Sequence, residues 1–166
     1  MLNTLEIKGR TYRVTIEPDT DADYPWNNSE GYGPVRRSMY PAGQYGHDKR
    51  PGERPLNNPG RNEYQFYYDW KEASKLARKD GWNVEPYDAP HRVQRAVQAD
   101  FDCLRRYLNG DWYYVGVIVE DEDGETESLW GVESSNGDPE EIAKELAQEL
   151  YKKAERKVFP VATIGI

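Results

Sequence analysis

The sequence predicts an α+β fold in which three helices pack on a small antiparallel sheet made of two hairpins. Three observations support this prediction. The stretch Thr11–Glu17 alternates polar and apolar residues with the period of a half-buried strand. The stretch Asp111–Val119 is aromatic and β-branched on both faces, as in a central strand. Three later segments repeat apolar residues every three or four positions and begin with helix-capping residues.

The first hairpin is predicted from the alternation and from a turn sequence. Thr11–Glu17 places three apolar side chains on one face, and Lys8-Gly9-Arg10 supplies a tight turn before it. A short apolar–polar stretch precedes that turn with the same period. The predicted inward side chains are Leu5, Ile7, Tyr12, Val14 and Ile16.

Residues 18–63 are rich in Pro and Gly, which interrupt any helical or strand period, so we predict a long irregular excursion there. Aromatic and basic residues recur inside it, and we therefore expect part of it to pack on the body of the protein. One alternative function follows from this composition: a small ligand, or an enzyme's substrate, held under the aromatic excursion. The ligand-binding residues of that alternative are Trp26, Tyr32, Arg36 and Arg37.

Each predicted helix carries its own start and stop signals. The first begins at Asp69, with Glu72 completing a capping box, and ends at Gly81. The second runs from about Pro90 to Asn109, with apolar residues at helical spacing. The third follows Asp138 with Pro139 at its first position.

A second hairpin and an apolar tail complete the predicted fold. The strand 111–119 turns at Asp123-Gly124 and returns as 127–133, so this hairpin spans 111–133. The apolar tail 158–166 is expected to add an edge strand or to contact a second subunit, which raises the hypothesis of a dimeric structural or regulatory scaffold. The length of 166 residues fits one domain.

Acidic residues are concentrated between Val119 and Ala143, a stretch with ten carboxylates and no Lys or Arg. Residues 111–166 carry a net charge of −9, and the rest of the chain is close to neutral. Such a field attracts basic proteins and repels nucleic acid. A simpler interpretation is a solvated hairpin tip together with carboxylates that favour a helix N-terminus. The predicted partner-binding residues, expected to share one face, are Glu120, Asp121, Glu122, Asp123, Glu125, Glu127, Asp138, Glu140 and Glu141.

Other kinds of site find little support in the sequence. The acidic stretch departs from a calcium loop because Trp130 stands where the final Glu is needed, and the single Cys103 with two histidines makes no zinc set. Neither His47 nor His91 has an adjacent nucleophile. We therefore predict no catalytic residues, no metal and no cofactor. The chain also has no apolar run long enough to span a bilayer and no signal peptide, so a cytoplasmic protein without a membrane partner is expected.

Several stretches resemble a group of small phage- and prophage-encoded proteins, and the similarity covers most of the chain. They are Tyr12–Asp19, Lys49–Arg54, Lys75–Trp82, Trp112–Val117 and Leu129–Ser134. The resemblance implies a bacterial cytosol as the setting and assigns no catalytic residue. Small acidic phage proteins of that kind include inhibitors of host defence, of the anti-CRISPR and anti-restriction types, that occupy DNA-binding surfaces. The leading hypothesis is thus a non-enzymatic accessory protein that binds a basic or DNA-binding host protein, or a basic phage protein, as a DNA mimic, without binding nucleic acid itself.

Overall fold

A computed structural model describes residues 4–28, 31–135 and 137–158. The fold is α+β, as predicted, but the described residues form two small antiparallel sheets and four helices, where one sheet and three helices were expected. The elements in chain order are β1 (Thr4–Ile7), β2 (Arg10–Pro18), α1 (Pro25–Asn28), β3 (Val35–Pro41), β4 (Glu53–Pro55), β5 (Tyr64–Asp69), α2 (Trp70–Lys79), α3 (Arg92–Leu108), β6 (Tyr114–Glu120), β7 (Thr126–Glu133) and α4 (Pro139–Val158).

The chain forms two compact units. Unit 1 comprises Met1–Ala22 and Trp112–Ile166, and unit 2 comprises Asp23–Asp111. Each unit has its own sheet and its own hydrophobic core. That residues 1–166 act as a single domain stays a prediction.

Unit 1 is a four-stranded antiparallel sheet, in the order β1-β2-β6-β7, with α4 packed on one face. Both predicted hairpins are confirmed. Tyr12 and Val14 of β2 pack with Val117 and Val119 of β6, because β2 and β6 are in a register that pairs Val14 with Val119 and Ile16 with Val117. Helix α4 closes this core with Ala143, Ala147 and Leu150. The helix begins as predicted, with the Asp138 carboxylate accepting a hydrogen bond from the Glu141 amide at 3.3 Å.

Unit 2 contains a second sheet, in the order β3-β5-β4, beside the helices α2 and α3. The prediction that 18–63 is irregular is therefore wrong for three segments: the short helix α1 and the strands β3 and β4, which both pair with β5. Two of the prolines that suggested loops lie at strand ends: Pro41 closes β3 and Pro55 closes β4. A proline at the end of an edge strand removes little of the hydrogen-bond ladder.

The two predicted helices of unit 2 are confirmed with small shifts in their ends. The Asp69 carboxylate accepts a hydrogen bond from the Glu72 amide at 3.0 Å and caps α2. Helix α3 begins at Arg92, two residues later than predicted. Its residues Val97, Phe101 and Leu104 lie in the core of unit 2. Most of the apolar tail 158–166 lies outside the described residues, so its predicted strand and subunit contact stay predictions.

Candidate interaction surface

The predicted acidic hairpin tip is the turn between β6 and β7, and part of its charge serves the turn itself. The Asp121 carboxylate accepts hydrogen bonds from the amides of Asp123 and Glu125 at 3.0 and 2.9 Å. The Glu122 carboxylate accepts one from the Thr11 amide at 3.1 Å. Asp and Asn residues stabilise turns in this way through their own backbone. The Asp121 contacts support the interpretation of the tip as local turn chemistry, whereas the Glu122 contact joins the tip to the start of β2.

Three further carboxylates at the tip pair with basic side chains from distant parts of the sequence. Glu120 pairs with Arg13 of β2 at 2.6 Å. Glu125 pairs with Lys157 at the end of α4 at 3.0 Å. Glu127 of β7 pairs with Lys153. The densest acidic run in the sequence is thus partly neutralised in the folded unit.

The basic residues of unit 1 are concentrated at this same end, the tip end. Seven of its eight Lys and Arg residues belong to the β1–β2 turn, β2 or the last turns of α4, against nine acidic residues there. The net charge of the tip end is therefore only −2. The seven are Lys8, Arg10, Arg13, Lys152, Lys153, Arg156 and Lys157.

The helix-start carboxylates lie at the opposite end of α4 from the tip. Lys157, which contacts the tip, is sixteen residues beyond Glu141, and a helix rises about 1.5 Å per residue. The two groups are therefore separated by roughly 24 Å along the helix. The expectation that Glu120–Glu127 and Asp138–Glu141 share a face is wrong. β7 leads away from the tip to the start of α4, and α4 then runs back to the tip, so the two groups lie at opposite ends. Their role in partner binding stays a prediction.

A second group of carboxylates gathers where β2 ends, β7 ends and α4 begins, and we call it the acidic end. The Asp19 amide donates to the Tyr114 carbonyl at 2.8 Å, Tyr114 is in register with Glu133, and the Gly137 amide donates to the Glu133 carbonyl at 2.9 Å. These contacts bring three chain segments together. The acidic end consists of Glu17, Asp19, Asp21, Glu133, Asp138, Glu140 and Glu141.

The acidic end carries little compensating charge. Lys144 is the one basic residue of unit 1 that belongs to it, and its ammonium pairs with Glu141 at 3.0 Å. That pairing raises the pKa of the Lys144 ammonium. Seven acidic residues against one basic residue give a net charge of −6, three times that of the tip end. Charge alone thus favours this end as the site for a basic partner.

An exposed aromatic ring borders the acidic end. Trp130 of β7 is 47 % exposed and, with Glu17, Asp19 and Asp21, lines a cleft of about 450 Å³. Its ring lies across Gly116 of β6, where a Cβ would come within 2.4 Å of it. The Asp19 carboxylate accepts a hydrogen bond from the Gly131 amide at 3.0 Å, which ties the end of β2 to β7.

Sequence reasoning missed Glu17, Asp19, Asp21 and Trp130. A signal was present, since carboxylates occupy every second position from Glu17 to Asp23. It was obscured because residues 1–63 hold equal numbers of acidic and basic residues. The strand pairing that brings Asp19 next to Gly131 joins residues 112 positions apart.

The four residues of the predicted ligand site have structural contacts within unit 2. Arg36 holds the buried Glu53 by two hydrogen bonds of 2.8 Å and also pairs with Asp48 at 3.0 Å. The Arg36 guanidinium keeps the pKa of the Glu53 carboxyl below its usual value. Trp26 stacks on Tyr24 with 4.7 Å between ring centroids, and Tyr32 packs against the core of unit 2.

Arg36 and Arg37 do not converge on one site. Arg36 lies over the Tyr67 ring and Arg37 over the Tyr64 ring, and these rings lie on opposite faces of the sheet because successive strand residues alternate. A cleft of about 220 Å³ in unit 2 is lined by Tyr40, Tyr45 and His47 among others. None of the four predicted ligand residues lines that cleft.

The other residues weighed for chemistry lie apart. His91 precedes α3 in a left-handed backbone conformation and makes no side-chain cap, and Cys103 is half-buried within α3. Within residues 4–28, 31–135 and 137–158, no group of three or more His, Cys, Asp or Glu side chains is arranged to hold a metal ion.

None of the described helices is long and apolar enough to cross a membrane. In comparisons with known proteins, no protein-family model, curated protein or solved structure matches this chain.

Proposed function

We propose that this chain is an accessory protein that binds a basic protein partner through the acidic end of unit 1. The observation that carries the proposal is the charge of that end, with seven carboxylates and one lysine gathered from three chain segments. Complementary charge accelerates encounter and selects among partners. The exposed Trp130 beside these carboxylates adds the kind of aromatic anchor that often dominates binding energy.

The partner in this proposal is a DNA-binding protein of a bacterial cell. A cluster of carboxylates competes with phosphates for Lys and Arg side chains, so the acidic end occupies the partner's DNA-binding surface. The resemblance of several stretches to phage proteins supports the cytoplasm of an infected or lysogenised bacterium as the proposed setting and inhibition of a host defence as the proposed role. The hairpin-tip carboxylates Glu120–Glu127 contribute less, because Arg13, Lys153 and Lys157 already pair with three of them.

The test compares two triple variants with the same change in net charge. The acidic-end variant is Glu17→Gln with Asp21→Asn and Glu140→Gln, and the tip variant is Glu122→Gln with Asp123→Asn and Glu125→Gln. Asp19 and Asp138 are left intact because their carboxylates bind the Gly131 and Glu141 amides. Each tagged protein is used to capture partners from phage-infected bacteria. The captured protein is then purified and titrated by fluorescence anisotropy, with and without a DNA duplex.

We expect the acidic-end variant to bind the purified partner at least about tenfold more weakly, equivalent to about 1.4 kcal/mol, and the tip variant to stay within about threefold of the parent. Duplex DNA should displace the parent protein from the partner, and raising the salt concentration should weaken the complex. Equal effects of the two variants would contradict the acidic end as the binding surface. Failure of DNA to compete would contradict the DNA-mimic version.

A further inference from the structure

We infer that the basic partner is held as an added β-strand along the outer edge of β7, through an extended segment that alternates apolar and basic residues. This inference rests on the proposed function and specifies how the partner is recognised. Strand addition supplies affinity through backbone hydrogen bonds and specificity through alternate side chains.

The edge of β7 is open and long enough for such pairing. β7 is the last strand in the order β1-β2-β6-β7, and within the described residues no further strand pairs with it. Alternate residues of this eight-residue strand therefore direct backbone N–H and C=O groups outward, where a partner strand can pair with them, although the Gly131 amide already donates to the Asp19 carboxylate. The other edge of the sheet, β1, has four residues and offers about half that length.

β7 carries only some of the features that usually protect an edge strand. Its register with β6 shifts between Val115 and Val117, and Glu127 is in register with the buried Val119 and pairs with Lys153. Thr126–Glu133 contains neither Lys nor Pro, which most strongly prevent pairing. Instead, Leu129 is 44 % exposed and Trp130 is 47 % exposed at its centre. Leu129 is in register with the buried Val117, and the Trp130 ring lies across Gly116 on the opposite face. A strand added to this edge would have apolar contacts on both of its faces.

Charge determines which kind of segment fits this edge. Glu125 and Glu127 lie near one end of β7, and Glu133 with the rest of the acidic end lies at the other. Unit 1 carries a net charge of −9 and the whole chain −8. Lys or Arg side chains on an added strand would therefore meet carboxylates mainly at the acidic end, because Lys157 and Lys153 already pair with Glu125 and Glu127. A second copy of the same chain would bring like charges together, which disfavours pairing.

The experiment uses the full chain and a synthetic ten-residue peptide of alternating Lys and Val as the probe. The control peptide has the same sequence with its four central backbone nitrogens methylated, so that neither edge can donate hydrogen bonds there. Binding is followed by fluorescence anisotropy and by hydrogen exchange of the β7 amides. We expect binding of the unmodified peptide below about 1 mM, slower exchange in Thr126–Val132, and at least about tenfold weaker binding of the methylated peptide. Equal binding of both peptides, or no binding of either, would overturn strand addition.

Two lysine substitutions distinguish the effect of the β7 edge on peptide binding from the effect of net charge. Leu129→Lys alters the edge, and Thr15→Lys makes the same charge change at an exposed position of the interior strand β2. Circular dichroism verifies that both variants fold. We expect Leu129→Lys to weaken peptide binding at least about tenfold and Thr15→Lys to leave it within about twofold. Equal weakening would show that charge alone attracts the peptide and would overturn the inference.

Other occupants of the edge give distinct results. A concentration-dependent dimer in sedimentation that disappears in Leu129→Lys would assign the edge to a second copy. At least about tenfold tighter peptide binding by a chain ending at Val158 would assign it to the chain's own apolar tail. Either result overturns the partner segment as occupant.

If the acidic-end triple variant loses capture of the natural partner while both peptides bind equally, strand addition fails and the proposed function stands. If that variant keeps full capture, the proposed function itself fails.

Discussion

At the scale of single residues, Asp100 of α3 is a carboxyl group in the interior of unit 2, only 9 % exposed. One of its oxygens accepts hydrogen bonds from the Gly33 amide at 2.8 Å and the Tyr68 hydroxyl at 2.6 Å. Burial penalises the charged form and raises the pKa of this carboxyl to about 6, although both hydrogen bonds act in the opposite direction. The side chain joins the loop before β3, the strand β5 and the helix α3.

The raised pKa makes the stability of the protein depend on pH in a defined direction. Between about pH 4 and 6 the folded state holds a proton on Asp100 that the unfolded chain has already released, so the contribution of this group falls as the pH rises through 6. In Asp100→Asn this dependence is absent. We therefore expect the free energy of unfolding of Asp100→Asn, relative to the parent, to rise by about 2–3 kcal/mol between pH 4 and pH 7.

Urea unfolding at a series of pH values measures this difference. Asp102→Asn is the matched control, because Asp102 lies on the same helix and is exposed. The free energy of unfolding of Asp102→Asn, plotted against pH, should run parallel to that of the parent. A parallel curve for Asp100→Asn as well would show that burial does not perturb this carboxyl.

At the scale of secondary-structure elements, the packing of β7 against β6 depends on a glycine, which has no side chain. Gly116 interrupts the β-branched residues of β6, and the Trp130 ring of β7 occupies the space above it. The register of the two strands shifts between Val115 and Val117 at the same place. The position of Trp130 at the β7 edge thus depends on the absence of a Cβ at residue 116.

Gly116→Ala should move the Trp130 ring, because the new Cβ would lie 2.4 Å from it. We expect a loss of about 1–3 kcal/mol in the free energy of unfolding, as for other overpacked sites, and weaker binding of the Lys-Val peptide. Gly46→Ala is the control, since a Cβ there meets no atom within 4 Å; its unfolding free energy should change by less than about 0.5 kcal/mol. Urea denaturation measures both, and equal stabilities of the two variants would contradict the fit of Trp130 on Gly116.

The elements that sequence analysis predicted correctly are those with local signals. Asp69 caps α2 and Asp138 caps α4, and the alternation of Thr11–Glu17 is visible without any knowledge of its partner strand. The short strands β3 and β4 were missed because their pairing with β5 is non-local and prolines lie at their ends. The acidic end was missed for the same physical reason: its charges converge only when β2, β7 and α4 come together. The neutralisation of the hairpin tip by Lys153 and Lys157 is likewise invisible along the chain.

At the scale of the whole molecule, charge is divided between the units. Unit 1 holds 17 acidic and 8 basic residues, a net charge of −9, whereas unit 2 holds 13 and 14, a net charge of +1. Most of the negative charge of unit 1 belongs to residues 112–166, as the sequence indicated, and residues 1–22 add four acidic and three basic residues. A basic partner would therefore be attracted to unit 1, and the nearly neutral unit 2 contributes little to that attraction.

Unit 2 contains within itself the packing and hydrogen bonds that an independently folding segment needs. The core around Tyr68, Val97 and Leu104 lies entirely within Asp23–Asp111, as do the sheet β3-β5-β4 and the packing of α2 against α3. The buried carboxyl of Asp100 also finds both of its hydrogen-bond donors there. A fragment of residues 23–111 can therefore form all of these contacts on its own.

We predict that residues 23–111, expressed alone, fold cooperatively. The expected signs are a single urea transition and a dispersed amide NMR spectrum, and the fragment should pass an anion exchanger at pH 8 that retains the full chain, since their net charges are +1 and −8. Leu104→Asp in the same fragment is the control: a charge placed at a residue with no exposed surface should abolish the transition. A fragment without a cooperative transition, under conditions in which the full chain has one, would show that unit 2 depends on the rest of the chain for its core.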